Sequence, residues 1–223
     1  MKQQAYQIGI IVFDGVLTSE VVGPAEVFAI AGQHEWFQGS GVQLIGIDQS
    51  PTIRTEEGLR LMVDATISED LALDVLFVPG GNDMGHLLQN EELNRFIRNQ
   101  EEQAQWLGSV CAGAFLLAKA GALDGKQATT WFGGETRLQS QFPAIDVIHD
   151  KPVVVDSRRI TANGGLVSYQ AALVLLGQLS GSEQARQVYD SLGMARLENW
   201  AKIEASINAA LETAYVKAGK SLK

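Results

Sequence analysis

The sequence predicts an α/β protein whose mostly parallel sheet is covered by helices on both faces. Two observations lead to this fold class. The segments Gln7–Phe13 and Asp74–Pro79 are apolar runs with strand character, and segments with helical spacing lie between such runs. A strand that is apolar along its length is buried on both sides, as in a parallel sheet between two helical layers. We therefore expect a doubly wound architecture.

Strands and helices alternate in the first half of the chain. Proline is favoured in the first turn of a helix, so the first helix is expected to begin at Pro24. Leu93, Phe96 and Ile97 have the spacing of one apolar helix face. Gly121 ends the predicted helix at Ala112–Ala120. In chain order we predict a strand at Gln7–Phe13, a helix at Pro24–Ala31, strands at Val42–Asp48, Arg60–Val63 and Asp74–Pro79, a helix at Glu91–Glu102, a strand at Gln105–Val110 and a helix at Ala112–Ala120.

The second half contains a strand pair and long helices. Asp150, Asp156 and Ser157 are turn-forming residues that bound a hairpin-like pair, and Ser182 is a suitable N-cap. In chain order we predict the segment Gln127–Trp131, the strand pair Ala144–His149 and Lys151–Val155, the lead-in Thr161–Gly165, a helix at Ser168–Leu179 closed by Gly181, and amphipathic helix from Ser182 to Ala218 interrupted at Leu192 and Gly193.

No linker-like stretch or internal repeat divides the chain. A chain of 223 residues is long enough to bury a full core as one large domain. We therefore expect a single domain over residues 1–223, with its core at about 6–180 and C-terminal helices at about 182–218.

The composition argues against several kinds of partner. The net charge is −9, with the acidic excess before Cys111, and nucleic acids bind mainly through phosphate neutralisation, so we expect no nucleic-acid partner. No apolar stretch reaches the roughly 18 residues of a membrane span, and the N-terminus has no signal-peptide core. We expect a cytoplasmic protein with no membrane partner. Metal-ligand spacings and the lysine of a phosphate loop are missing from the sequence, so we expect no metal and no other cofactor.

Cys111 is the only cysteine, and it lies where a nucleophile would be presented. The segment GSVCAGA places it between a predicted strand and a predicted helix, with Ser109 two residues before it and Gly113 two residues after it. Small residues at these positions permit the tight turn of a nucleophile elbow. A thiol at a helix N-terminus lies near unpaired N–H groups, which favours the thiolate. The alternative is that Cys111 is a buried, unreactive small apolar residue.

Two further features fall at the same predicted edge of the sheet. Gly80 and Gly81 end a strand there, and their N–H groups, with that of Ala112, can form an oxyanion hole. Glu20 lies in the turn ahead of the first predicted helix. A carboxyl near a thiolate has a raised pKa and can donate a proton during turnover. The alternatives are a plain strand-to-helix turn for the glycines and a solvated or capping carboxylate for Glu20.

These motifs, in this order, resemble the DJ-1/PfpI superfamily of the class I glutamine-amidotransferase-like fold, in particular its branch of isonitrile hydratases and AraC-type regulators. The similarity runs from Ile8 to about Leu179 through IGIIVFDGV, EVVGPAEVF, DVLFVPGG, SVCAGAFLLAKAGALDGKQATT and TANGG. The resemblance implies a flavodoxin-like three-layer sandwich, a homodimer and a small-molecule substrate bound by the amides of Gly80 and Gly81.

The resemblance also implies roles for single residues. The elbow cysteine is Cys111, and Glu20 takes the place of its acidic partner, where isonitrile hydratases usually have Asp. Two positions depart from the family pattern. Ala112 follows the cysteine, where isonitrile hydratases have Thr and PfpI-type proteases have His, and Trp131 stands where related members tend to have His. Without a histidine beside the thiol, protease activity is disfavoured.

The leading hypothesis is an enzyme of the isonitrile-hydratase type, in which the Cys111 thiolate attacks an electrophilic carbon, Glu20 transfers the proton and water releases an amide or acid. A different small electrophile, such as a reactive aldehyde, is a variant of this hypothesis. The alternative is a non-catalytic redox-sensing or ligand-binding protein, with Cys111 oxidised to sulfinate and held by Glu20. A third hypothesis is a scaffold that has lost activity.

Overall fold

The computed structural model describes residues 5–197, 199, 201–205 and 207. Contacts divide the chain into two compact units, of which the first ends at Val188 and contains the sheet. The predicted C-terminal helix begins at Ser182 and ends at Ser191, so the predicted interruption at Leu192 is confirmed. Residues 201–205 are again helical, and the part of that prediction from 208 to 218 lies outside the described residues.

A seven-stranded sheet forms the centre of the first unit. The strands of the chain are β1 (Gln7–Val12), β2 (Gly41–Gly46), β3 (Thr52–Arg54), β4 (Arg60–Met62), β5 (Ala65–Thr66), β6 (Val75–Val78), β7 (Trp106–Val110), β8 (Gln127–Ala128), β9 (Asp146–Val147), β10 (Val153–Asp156) and β11 (Arg159–Ala162). The order in the large sheet is β10-β11-β7-β6-β1-β2-β5, and all neighbours are parallel except the antiparallel pair of β10 and β11. Two small sheets pair β3 with β4 and β8 with β9.

Helices cover both faces of the large sheet. In chain order, the helices are α1 (Thr18–Ala31), α2 (Gly85–Leu88), α3 (Glu91–Gln103), α4 (Gly113–Lys119), α5 (Glu135–Gln141), α6 (Val167–Ser180) and α7 (Ser182–Ser191), with short 3₁₀ helices at Glu35–Phe37 and Met194–Arg196. Helix α1 packs on α6 and α3 packs on α4, and every residue of β6 is buried between the layers. The predicted three-layer α/β sandwich is confirmed.

The topology brings the carboxyl ends of β1, β6 and β7 together. These strands are parallel neighbours, with β1 between β2 and β6. Chain segments leave β1 and β6 in different directions, which opens a crevice beyond their carboxyl ends. The segments that follow the three strands carry Glu20, Gly80 and Cys111 respectively, so the fold places all three at one edge of the sheet.

The start of the first helix differs from the prediction. Helix α1 begins at Thr18, six residues before Pro24, which lies inside the helix. The cause is a distant carboxylate: Glu57 accepts hydrogen bonds from the Thr18 backbone N–H at 3.0 Å and from its hydroxyl at 2.5 Å. This contact satisfies a donor of the first turn and stabilises the early start. Glu20 therefore lies in the first turn of α1 and not in the loop before it.

The predicted pairing of Ala144–His149 with Lys151–Val155 is wrong. Strand β9 pairs with β8, and β10 forms its hairpin with β11. Ser157 adopts φ of 55° in the turn between β10 and β11, so the predicted turn residues are used, but they join a different pair of strands. The strand at Arg60–Met62 is confirmed, and its partner at Thr52–Arg54 was not predicted.

Gly113 allows the elbow to pack against the neighbouring strand. A Cβ at this position would overlap the carbonyl oxygen of Val78 and lie 3.0 Å from that of Pro79. We expect Gly113→Ala to lower the free energy of unfolding by about 3 kcal/mol, because backbone atoms cannot move aside as a side chain can. The decrease is measured by urea denaturation of the variant and the wild type.

Gly32→Ala is the matched control. Gly32 has an ordinary φ of −61°, and a Cβ there would meet its nearest atom at 3.4 Å. We expect its free energy of unfolding to stay within about 1 kcal/mol of wild type. Equal stability of the two variants would contradict the packing assigned to Gly113.

Candidate active site

Cys111 lies in a strained turn between β7 and α4. Its φ is 51°, a left-handed conformation that is uncommon for a residue with a side chain. The Cys111 N–H donates to the carbonyl oxygen of Ala162 at 2.9 Å, and its carbonyl oxygen accepts from the Thr130 hydroxyl at 2.7 Å. These contacts hold the turn in the conformation that presents the thiol at the carboxyl edge of the sheet.

Glu20 is completely buried beside the thiol. One carboxyl oxygen, Oε2, accepts from the Gly80 N–H at 2.7 Å, and the other, Oε1, accepts from the Gly165 N–H at 3.4 Å. The carboxyl group is also hydrogen-bonded to the side chain of Cys111. Glu20 is therefore held in place by two backbone amides, with its remaining hydrogen bond made to the sulfur.

Burial dominates the titration of both groups. It raises the pKa of Glu20, although the amides of Gly80 and Gly165 and the thiol of Cys111 act to lower it. Burial, followed by the charge of Glu20, raises the pKa of Cys111 to about 12, against a smaller opposite effect of the Ala112 amide. The Ala112 amide acts in the direction expected of a helix N-terminus, but desolvation and the neighbouring carboxylate outweigh it.

The two groups therefore act as one acid–base pair. With a thiol pKa of about 12, the sulfur keeps its proton at neutral pH. The sulfur becomes a thiolate when Glu20 takes that proton, and the raised pKa of Glu20 makes the transfer easier than it would be to an ordinary carboxylate. The arrangement can generate a nucleophile and a proton donor in a single step.

Glu57 binds the first residue of the helix that carries Glu20. It binds Thr18, two residues before Glu20, and the Thr18 hydroxyl is also hydrogen-bonded to that of Thr55 at 2.8 Å. The Thr18 hydrogen bonds lower the pKa of Glu57, and the negative charge of Glu57 contributes a little to raising the pKa of Glu20. No local sequence pattern indicates this contact, because the residues are 39 positions apart.

Gly164 lies against the pair of Cys111 and Glu20, a position that its residue type alone does not indicate. A Cβ at this position would lie 2.7 Å from Cβ and 3.1 Å from Sγ of Cys111, and it would overlap Oε1 of Glu20. The backbone can therefore approach the reacting pair only as glycine. The signal in the sequence is a glycine pair, Gly164 and Gly165, that follows a strand just as Gly80 and Gly81 do.

The predicted substrate-binding amides have different environments. The Gly80 N–H is used by Glu20, so it positions the acid and does not face a substrate. Gly81 and Ala112 line the cleft that opens onto Cys111, and the Ala112 amide is hydrogen-bonded to the sulfur. Of the three predicted amides, that of Gly81 is used by neither Glu20 nor Cys111 and remains available to a bound molecule, whereas Ala112 forms part of the cleft lining.

The cleft has a volume of about 470 Å³ and two unlike walls. One wall is a polar turn, and the other is aromatic, with Phe115 and Trp131 stacked at 5.1 Å between ring centroids. Its lining consists of Gly81, Asn82, Asp83, Met84, Gly85, Leu88, Cys111, Ala112, Phe115, Trp131 and Arg137. The size suits a small organic molecule.

Within the described ranges, no cluster of three or more His, Cys, Asp or Glu residues has the arrangement of a metal site. The same part of the chain contains no helix that is long and apolar enough to cross a membrane.

The chain is similar to a known protein family and to several known proteins. The sequence model described as the DJ-1/PfpI family matches residues 6–178. The chain is 34% identical over 185 residues to an isonitrile hydratase of Pseudomonas putida, which covers 82% of this chain and 76% of that protein. It is 26% identical over 163 residues to the protein DJ-1beta of Drosophila melanogaster, covering 70% of this chain and 84% of that protein.

Two further similarities extend the comparison. The HTH-type transcriptional regulator GbdR of Pseudomonas aeruginosa is 25% identical over 195 residues, which are 86% of this chain and only 52% of the regulator. The crystal structure of a THiJ/PfpI family protein from Pseudomonas syringae superposes with a TM-score of 0.78 and 22% identity, covering 96% of this chain and 89% of that one. The structural similarity concerns the fold.

Proposed function

Since this chain belongs to the DJ-1/PfpI family, we propose that it is a cysteine-dependent hydratase that converts an isonitrile to an N-substituted formamide. The observation that carries the proposal is the buried, hydrogen-bonded pair of Cys111 and Glu20, whose sulfur lies at the end of an open cleft. The 34% identity to an isonitrile hydratase over most of both chains supports this choice of substrate.

The proposed reaction uses each part of the pair. Glu20 takes the thiol proton and passes it to the terminal carbon of the isonitrile, and the Cys111 sulfur bonds to the same carbon to give a thioimidate, R–N=CH–S. Water then adds to this carbon, the C–S bond breaks and the sulfur recovers its proton. The products are R–NH–CHO and the free thiol, so one isonitrile and one water form one formamide.

The residues around the thiol limit which group can transfer a proton. Ala112 has no hydroxyl with which to relay a proton, and the nearby Thr130 hydroxyl is used by the Cys111 carbonyl oxygen. Glu20 is therefore the group that supplies protons to the reacting carbon. A small reactive aldehyde, which also accepts a thiolate at carbon and a proton at a neighbouring atom, is the variant substrate that this pair would serve.

Turnover of an alkyl isonitrile tests the proposal. We expect the purified protein to form the N-alkylformamide with saturation kinetics, measured by the appearance of the formyl proton in NMR spectra. Protein whose Cys111 has been blocked with iodoacetamide is the control and should be inactive, because the chain has no other thiol. Equal formamide production by the blocked protein, or none by the untreated protein, would refute the substrate assignment.

The second candidate function is oxidation sensing, which the hydrogen bond between Cys111 and Glu20 favours because a protonated Glu20 can donate to a sulfinate oxygen. A relative of this chain is DJ-1beta. On mild peroxide treatment, sensing predicts a stable mass increase of about 32 Da, two oxygen atoms, confined to Cys111. Rapid continued oxidation to the sulfonate would count against a held sulfinate.

The remaining proposals rest on the family and on charge. We propose a single-domain homodimer of the cytoplasm that acts on a small molecule without nucleic acid. The regulator GbdR is matched over only 52% of its length, and a net charge of −9 disfavours contact with phosphates.

A further inference from the structure

Arg137 places a positive charge in the cleft that contains Cys111. It lies on α5, its side chain is exposed, and it lines the cleft together with the thiol. The central carbon of its guanidinium group is 5.7 Å from the centroid of the Phe115 ring. A cation over an aromatic face is attracted to it, so this contact keeps the guanidinium at the wall of the cleft.

The charge of Arg137 is not neutralised by a neighbouring carboxylate. Among the residues with described positions, none forms an ion pair within 4.0 Å of this guanidinium or a hydrogen bond with it. Asp83 also lines the cleft without reaching it. A planar guanidinium with free N–H donors binds carboxylates in a bidentate manner. In a chain with a net charge of −9, such a cation is an unusual feature of a cleft.

The rest of the wall suits an apolar body. Trp131 is half-buried between Phe115, on which it stacks, and the backbone of Gly134, and the exposed part of its ring lines the cleft together with the thiol, where it can contact a ligand. A cleft of about 470 Å³ encloses a small molecule that spans from the sulfur to the guanidinium. The lining thus offers a reactive sulfur, an aromatic surface and a cationic group to one ligand.

From this arrangement we propose that Arg137 makes the cleft selective for electrophiles that carry a carboxylate, with the carboxylate bound by the guanidinium, the body against Trp131 and the reacting carbon at Cys111. The inference rests on the proposed function and narrows its substrate class to anionic isonitriles or related small electrophiles.

Paired alkylating reagents test the selectivity without any hydration reaction. Iodoacetate and iodoacetamide lose iodide to the same thiol and differ mainly in one negative charge. We expect Arg137→Gln to slow carboxymethylation of Cys111 by iodoacetate about threefold to fivefold, the effect of losing one partly exposed ion pair. The iodoacetamide rate should not change, because Arg137 does not contribute to the pKa of Cys111. Both rates are followed by intact mass.

Three variants complete the test. Arg137→Lys should retain most of the iodoacetate rate, because it keeps the charge. Arg95→Gln removes the same charge from an exposed site on α3 that does not line the cleft, and it should leave both rates unchanged. Asp83→Asn should accelerate iodoacetate only. If Arg137→Gln slows the two reagents equally, or if Arg95→Gln slows iodoacetate as much, the proposed selectivity is wrong.

The reagent selectivity can be judged independently of whether the protein hydrates isonitriles. If the protein discriminates between the two reagents through Arg137 but forms no formamide, the anion site is supported and the hydratase function is refuted. If the protein hydrates alkyl isonitriles but does not discriminate between the two reagents, the hydratase function is supported and the anion site is refuted. Where activity is present, kcat/KM for isocyanoacetate should exceed that for isocyanoacetamide, and Arg137→Gln should reduce this ratio about threefold to fivefold.

Discussion

Replacement of Cys111 with alanine is expected to lower the turnover of an alkyl isonitrile by at least about a thousandfold, the scale seen when a covalent nucleophile is removed. In the proposed reaction the sulfur forms the bond to the isonitrile carbon, and the chain has no second thiol to replace it. The remaining rate would reflect binding and proton donation alone. Formation of the N-alkylformamide under saturating conditions measures the loss.

Cys111→Ser is the informative companion variant. A serine hydroxyl keeps a hydrogen-bond donor beside Glu20 but is a much weaker nucleophile, so its activity should also be very low. Neither variant adds a larger side chain to the turn at φ 51°, so the thermal midpoint of both should stay close to wild type. Turnover by Cys111→Ala within tenfold of wild type, with a normal thermal midpoint, would exclude the sulfur as the reacting atom.

Glu20→Gln is expected to change two rates in opposite directions. Loss of the carboxylate removes the charge that helps to raise the pKa of Cys111 to about 12. The thiol should therefore ionise more readily, and its alkylation by iodoacetamide at pH 8 should be about tenfold faster, since a neighbouring charge shifts a pKa by about one unit or more. Turnover should fall by roughly a hundredfold or more, because no group remains to move the proton.

The pH dependence makes the prediction sharper. In the wild type, the alkylation rate should rise about tenfold per pH unit throughout the range from pH 7 to 10, because the thiol pKa lies above it. In Glu20→Gln, the whole profile should move to lower pH. Glu26→Gln, which removes a charge from an exposed position of the same helix, should leave it in place. A shift of the Glu20→Gln profile to higher pH would contradict the assigned electrostatics.

The same pair has a consequence for stability. Burial raises the pKa of Glu20 above its ordinary value of 4.5. Its stabilising contribution is therefore present below pH 4.5 and is lost as the pH rises through the folded-state pKa. The stability of wild type relative to Glu20→Gln should accordingly decrease between pH 4 and pH 8, as measured by urea denaturation.

The features predicted from the sequence are those that depend on local pattern. Continuous apolar runs identified β1 and β6 as buried strands, and small residues around Cys111 identified the elbow. The parallel sheet then placed Glu20 and Gly80 near the thiol without any knowledge of side-chain positions. These inferences succeed because burial on both faces and a tight turn restrict residue type at each position.

The features that were not predicted depend on contacts between distant segments. Glu57, which is 39 residues away from Thr18 in the chain, binds Thr18 and stabilises the early start of α1. Gly164 must be glycine because its backbone lies against the thiol. The hydrogen bond from the Gly80 amide to Glu20 likewise joins residues that are far apart in the chain. The thiolate was expected from the helix terminus alone, whereas the titration is decided by burial and by one carboxylate.

The Thr130 hydroxyl links the turn that carries Cys111 to the chain segment that carries Trp131 and Arg137. It donates to the Cys111 carbonyl oxygen, and the chain that follows it carries Trp131 and, on α5, Arg137. The reacting pair is built on segments that follow β1 and β7, whereas Trp131 and Arg137, which contact Phe115 of α4, belong to one later segment. Substitutions in that segment can therefore alter which molecules are admitted while the chemistry is inherited intact, so the scaffold can acquire new substrates by changing a single stretch of chain.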